Sequence, residues 1–193
     1  MLLRQFLSAT DIALVYEAGG AAVARQAVAQ PCSRTGAIEM AQRFGMGSMT
    51  HTKAYLHRDN VFAEGWPELH AKLTEGMKIG GAAAWQLGEV ELNVRCVEYH
   101  TYTTGGGLTS PAHRDGGSVL TMAILLSDAA DVEGGDFVTY TDGAAVAHRM
   151  DRGDAILFCS EKCHNVTTVK SGTRQSMVLE LWEHPQNLFD RHS

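Results

Sequence analysis

The first third of the chain carries apolar residues at helical spacing. Thr10-Asp11 offers a helix start, IALVYEA continues it, and Gly19-Gly20 reads as its stop. Residues 21–31 (AAVARQAVAQP) are Ala-rich and predict a second helix ended by Pro31. The polar, Met- and Gly-containing stretch 33–52 predicts loop or short strand. Pro67 suits a first helical turn. Leu69, Leu73, Met77 and Gly80-Gly81 follow at intervals of three or four, so 66–86 predicts an amphipathic helix.

From about residue 90 the period changes. NVRCVEYHTYT, SVLTMAILLS, GDFVTYT, AAVAHRM, DAILFCS, NVTTVKS and QSMVLELW are short runs rich in β-branched and aromatic residues. Turn signals separate them at 105–107, 116–117, 133–136, 142–143, 152–154 and 171–172. Strands at this spacing predict an antiparallel sandwich or barrel. The expectation is a mainly β domain with N-terminal helices (α+β). It is a single unit over 1–193, with 1–88 as helical support and 89–184 as the catalytic core.

Composition changes this picture little. The chain has 193 residues, 45% of them hydrophobic and 20% charged, as a soluble globular domain has. The net charge of −6 and the lack of a basic patch argue against a nucleic-acid partner. The opening MLLRQFLSATD is broken by Arg4 and Gln5, so it predicts neither signal peptide nor membrane span. Cys32, Cys96, Cys159 and Cys163 read as reduced thiols, which with these absences predicts a cytoplasmic setting suited to ferrous iron.

The candidate chemistry lies in the β half. His113-Arg114-Asp115 is an H-x-D pair, and residues i and i+2 of an extended strand face the same side. An imidazole and a carboxylate can then reach one metal ion. His164, 49 residues after Asp115, can complete a two-His-one-carboxylate set with open positions, the ligand pattern of non-haem Fe(II) oxygenases. Arg174 lies ten residues further on, with Ser176 as R-x-S, and can grip a carboxylate bidentately. A second HRD, at His57-Arg58-Asp59, lies outside the strand pattern and reads as a solvated decoy. Cys159, Cys163 and His148 make a poor zinc signal. His100, His148, His184 and His192 read as exposed or as partners of the ligands. The glycines 105–107 read as a flexible active-site loop.

The stretch Val94–Trp182 resembles the prolyl 4-hydroxylase-type 2-oxoglutarate oxygenases, including their lysyl hydroxylase-like members. The matching residues are VEYHTYTTGGGL (97–108), the HRD at 113, SVLTMAILLSD (118–128), EGGDF (133–137), RGDAILF (152–158) and HNVTTVKSGTRQSMVLELW (164–182). The resemblance implies a double-stranded β-helix, a jelly-roll barrel. It implies Fe(II) on His113, Asp115 and His164, with the distal carboxylate of 2-oxoglutarate on Arg174. It also implies O₂ as oxidant, ascorbate as auxiliary reductant, and hydroxylation of a prolyl or lysyl residue or a free amino acid, releasing succinate and CO₂. Tyr99 and Thr121 match family positions near the co-substrate. Leu125 stands where many members carry a tyrosine that bonds the distal carboxylate. Thr121, Tyr99 or Ser176 is therefore expected to assist Arg174. Asp115 favours hydroxylation over halogenation, because related halogenases replace this carboxylate. The expected partner is a small-molecule or peptide substrate, with no nucleic acid and no membrane. Two other readings stay open. One is a cupin-like metal-dependent hydrolase or isomerase. The other is a non-catalytic metal-binding jelly roll, for which Arg174 would be dispensable.

Overall fold

The computed structural model describes residues 1–29, 50–110 and 113–189. Pro31, Cys32, most of the 33–52 stretch and His192 lie outside these. Strands β1 (Leu2–Leu3) and β2 (His51–Tyr55) precede the β half. There follow β3 (Asn93–Tyr102), β4 (Leu120–Leu125), β5 (Glu133–Gly134), β6 (Phe137–Thr141), β7 (Ala144–His148), β8 (Ala155–Cys159), β9 (His164–Val166), β10 (Val169–Ser171) and β11 (Arg174–Trp182). Every run anticipated as a strand forms one. NVTTVKS is divided between β9 and β10.

Six strands form a large antiparallel sheet in the order β1-β8-β4-β11-β3-β2. A three-stranded sheet β7-β6-β9 and a pair β10-β5 face it. Crossed chain order with antiparallel pairing throughout gives the two-sheet jelly roll. The region expected to be helical support, with loop or short strand over 33–52, therefore donates two strands, β2 forming one edge of the large sheet and β1 the other.

The helices cover the outer face of that sheet. Helix α1 spans Ala9–Ala29 without a break at Gly19-Gly20. Its start is Ser8 rather than Thr10. The Ser8 hydroxyl accepts the Asp11 N–H at 3.1 Å, and the Asp11 carboxylate accepts the Ser8 N–H at 2.8 Å, a reciprocal capping box. Gly19 serves close approach instead of termination: a Cβ there would lie 2.8 Å from the Tyr99 ring. After a short 3₁₀ turn come α2 (Val61–Gly65) and α3 (Pro67–Trp85), which buries Leu69, Leu73 and Met77.

Side-chain alternation along each strand splits the core in two. Val97, Tyr99, Met122, Ile124, Leu157, Met177, Leu179 and Leu181 point outward and pack under α1 and α3. Tyr102, Ala123, Leu125, Phe137, Ile156, Phe158, Val166 and Val169 point into the bore between the sheets. Among the described residues no helix is long and apolar enough to cross a membrane.

Candidate active site

His113 and Asp115 lie on the connection between β3 and β4, and His164 opens β9 on the opposing sheet. The His113 Nε2 lies 3.3 Å from Asp115 Oδ1, and the His164 Nε2 lies 3.4 Å from Asp115 Oδ2. The two imidazole rings are 4.9 Å apart and nearly perpendicular. One ligand atom from each of the three residues falls within 4.8 Å of the others. Among the described residues, these form the one His/Cys/Asp/Glu group close enough to share an ion.

The chain sets this geometry with backbone as well as side chains. The His164 N–H donates to the His113 carbonyl at 3.1 Å, tying the two sheets together at the ligands. The His164 Nδ1 lies 2.9 Å from the Lys162 carbonyl, which can only accept. Nδ1 therefore carries the proton, and the Nε2 lone pair is left for a metal. Phe158 and Phe137 pack on the His164 ring at 4.7 and 5.6 Å between centroids and keep that side dry. Two imidazoles and one carboxylate on one side of a point, with the rest of the bore before them, suit a divalent first-row metal needing open positions.

Arg174 opens β11 on the bore-facing side of the large sheet. It is 3% exposed and donates to the Ser176 hydroxyl at 2.8 Å. Its guanidinium sits over the Tyr102 ring at 5.6 Å. Burial lowers its pKa, and the charge of Asp136 offsets part of this. Among the described residues no carboxylate forms an ion pair with it. A buried cation with only neutral bonding partners is costly unless an anion joins it.

Register relates this cation to the ligands. Ser176 faces Leu125, and Glu180 faces Thr121, so the Arg174 end and the Asp115 end lie four residues apart along β4. Strand rise makes that roughly 13 Å of backbone, spanned from both ends by inward side chains. Ala123 and Val178 between them are small.

The remaining anticipated residues divide. Ser176 lies beside Arg174. Tyr99 does not: it pairs with Met177 and faces the helices, edge-on to Tyr16, with its hydroxyl accepting from Gln175 Nε2 at 2.5 Å. The reason is parity. Tyr99 is three residues from Tyr102, and Tyr102 is the one directly opposite Arg174. Burial pushes the Tyr102 phenol up to about 12; Arg174 and Lys53 pull it back, while Glu98 and Asp115 add to the rise. Tyr102 thus lies within electrostatic reach of both the cation and the metal corner. Thr121 also departs from expectation. Its hydroxyl is bonded to Asp115 Oδ2 at 2.9 Å and does not reach Arg174.

A polar cluster on the bore face of β2 and β3 escaped the sequence reading. His51 stacks on Tyr102 at 4.0 Å, and its Nε2 lies 2.9 Å from His100 Nδ1. Glu98 joins His100 at 2.9 Å and Lys53 at 3.2 Å. Strict alternation of His51, Lys53 and Tyr55 with Thr52 and Ala54 was its only signal. His100 is buried, not exposed, and burial lowers the His51 pKa to about 3. The second HRD stands apart from the metal group, yet His57 is 3% exposed, its Nδ1 accepting the Val97 N–H at 3.0 Å. The glycine loop is fastened rather than free. Gly105 N–H donates to Val169, Gly106 accepts from Val169, and a Cβ on Gly106 would fall 2.1 Å from the Thr50 carbonyl. His148 bonds Thr139 at 2.8 Å, and Cys96, Cys159 and Cys163 are in no disulfide among the described residues.

No family model matches the sequence. A stretch of 59 residues is 37% identical to a PKHD-type hydroxylase of Psychrobacter sp. (strain PRwf-1), covering 31% of this chain and 23% of that protein. The chain thus matches under a quarter of that curated relative's length. Solved structures overlay nearly the whole chain. The viral collagen prolyl hydroxylase of Paramecium bursaria Chlorella virus-1 superposes with a TM-score of 0.62 at 15% identity, over 94% of this chain and 93% of that one. This chain has the fold of the prolyl 4-hydroxylase-type 2-oxoglutarate oxygenases. The Trichoplax adhaerens prolyl hydroxylase, solved with a hypoxia-inducible-factor peptide, superposes equally well at 0.62 and 14% identity, over 95% of this chain and 83% of that one. At such identities the agreement is one of fold.

Proposed function

We propose that this chain is an Fe(II)- and 2-oxoglutarate-dependent dioxygenase that hydroxylates a C–H bond. The observation that carries the reading is the pairing, in one bore, of a two-His-one-carboxylate group with a buried arginine that lacks a counter-anion among the described residues. A metal-dependent hydrolase or a plain metal-binding module gives that arginine nothing to hold.

His113, Asp115 and His164 would hold the iron. Bound iron supplies O₂ activation coupled to decarboxylation of 2-oxoglutarate to succinate and CO₂. The protein's residues do the rest. Arg174 binds the distal carboxylate, and Ser176 holds the guanidinium in place. Tyr102 takes the part of the tyrosine absent at Leu125: with its pKa near 12 the phenol keeps its proton and can donate. Phe137 and Phe158 exclude water from the His164 side. Ascorbate would restore ferrous iron after unproductive turnovers. Cysteines outside disulfides and ferrous chemistry suit a reducing compartment such as the cytoplasm.

The substrate is a prolyl or lysyl residue in a peptide, or a free amino acid. The peptide-bound prolyl hydroxylase among the structural neighbours supports the first. The test is succinate formation from 2-oxoglutarate in air with prolyl and lysyl peptides and free amino acids. Wild-type turnover at least a hundredfold above Asp115→Ala supports the reading. Turnover no greater than that of Asp115→Ala under every condition contradicts it.

A further inference from the structure

Thr121, on β4, and Ser160, in the turn that follows β8, are both 0% exposed and meet at the metal corner. The Thr121 Oγ1 lies 2.9 Å from Asp115 Oδ2 and 2.9 Å from Ser160 Oγ. An ionised carboxylate only accepts, so the single Thr121 proton goes to Asp115. Ser160 must then donate to Thr121. The direction of both bonds is thereby fixed. Ser160 holds Asp115 a second time, since its carbonyl accepts the Asp115 N–H at 3.0 Å. Its own N–H donates to the Val119 carbonyl at 3.0 Å, which ties the arrangement to the start of β4. The carboxylate is gripped at its oxygen and its backbone at once.

We infer that Thr121, oriented by Ser160, is a positioning residue that fixes the rotation of the Asp115 carboxylate between His113 and His164. A carboxylate free to swing would hold its oxygens at no fixed place beside the two imidazoles, and the metal would bind more weakly. This inference rests on the reading of His113, Asp115 and His164 as the metal site. The hydroxyl does the work, so Thr121→Val, nearly equal in shape, removes it. Thr121→Ser keeps it. Outer partners of metal ligands commonly contribute about 10–100-fold to metal affinity.

The test is anaerobic titration of the purified protein with Co(II), followed by its visible absorption, and then by 2-oxoglutarate added to the Co(II) form. Thr121→Val is expected to bind Co(II) about 10–100-fold more weakly, with a changed band shape and weaker 2-oxoglutarate binding. Thr121→Ser should stay within about threefold of wild type. Thr121→Val matching wild type in affinity and spectrum overturns the inference. So does Thr121→Ser failing as badly as Thr121→Val. If Thr121→Val lowers the melting temperature of the metal-free protein, Ser160→Ala is read instead. A loss of about 3–10-fold supports the inference, and wild-type binding overturns it. Asp115→Ala separates the two levels. If it keeps Co(II), the metal-site reading fails. If it loses Co(II) while Thr121→Val does not, only the Thr121 role fails.

Discussion

The two faces of the large sheet are made from alternate residues of the same strands, and they are chemically opposite. The outer face of β3, β4, β8 and β11 is apolar and sealed by α1 and α3. The inner face presents His51, Lys53, Glu98, His100, Thr121, Arg174, Ser176 and Glu180, most of them buried. The outer face stabilises the fold by burying apolar area. The inner face places costly polar groups where they can bind a metal and an anion, each held by a neighbour. A one-residue shift of register would exchange the two faces, so the apolar outer side also aims the site.

This division should separate stability from binding. The largest effect is expected on the outer face. Leu179→Ala, at 0% exposure, should cost about 3 kcal/mol in urea unfolding and leave metal affinity unchanged. A matching loss of metal binding would break the division. On the inner face, Arg174→Met should weaken 2-oxoglutarate binding about a hundredfold, or ~2.7 kcal/mol, while the metal titration stays as in wild type.

The inner face should also carry part of the acid sensitivity. His51 has its pKa lowered to about 3 from 6.5, by burial first and then by the charges of His100 and Lys53, against Glu98. The unfolded chain takes up this proton as pH falls through 6.5, and the native protein resists it until about 3. This contribution is therefore whole above 6.5 and is lost progressively down to about 3. At pH 5 the loss is at most about 2 kcal/mol. His57, His70 and His148 shift in the same direction. His51→Gln should flatten part of the fall in urea midpoint between pH 7 and 5; an unchanged slope would remove His51 from the account.

The smallest effects come from two tyrosines three residues apart. Tyr102→Phe should weaken 2-oxoglutarate binding by up to about tenfold. Tyr99→Phe should cost about 1 kcal/mol of stability or less, with co-substrate binding untouched. The reverse pattern would place the site on the wrong face.

Much of this was legible in the sequence, because strand runs and turn glycines are local signals. The H-x-D, the histidine near fifty residues on and the arginine ten further were legible as spacing. What was lost depended on contacts between distant residues. Gly19-Gly20 looked like a helix stop because nothing local shows that the Tyr99 ring needs the gap at Gly19. Tyr99 was expected beside the co-substrate because a match to a family position does not fix which face of the sheet a residue occupies; pairing with Arg174, which falls to Tyr102, does. Thr121 was placed near the co-substrate because Ser160, 39 residues later, holds it elsewhere. Strand β2 was obscure because its inward residues are polar, so its alternation lacks the usual apolar mark.

The central claim is that one bore binds a divalent metal on His113, Asp115 and His164 and an anionic co-substrate on Arg174. The most direct measurement is anaerobic titration of 2-oxoglutarate into the Fe(II)-loaded protein, following the weak visible charge-transfer band of the chelate. A saturable band in wild type is expected. It should be absent in His113→Ala and displaced to much higher 2-oxoglutarate in Arg174→Met. Iron binding without a band at any 2-oxoglutarate concentration would contradict the account.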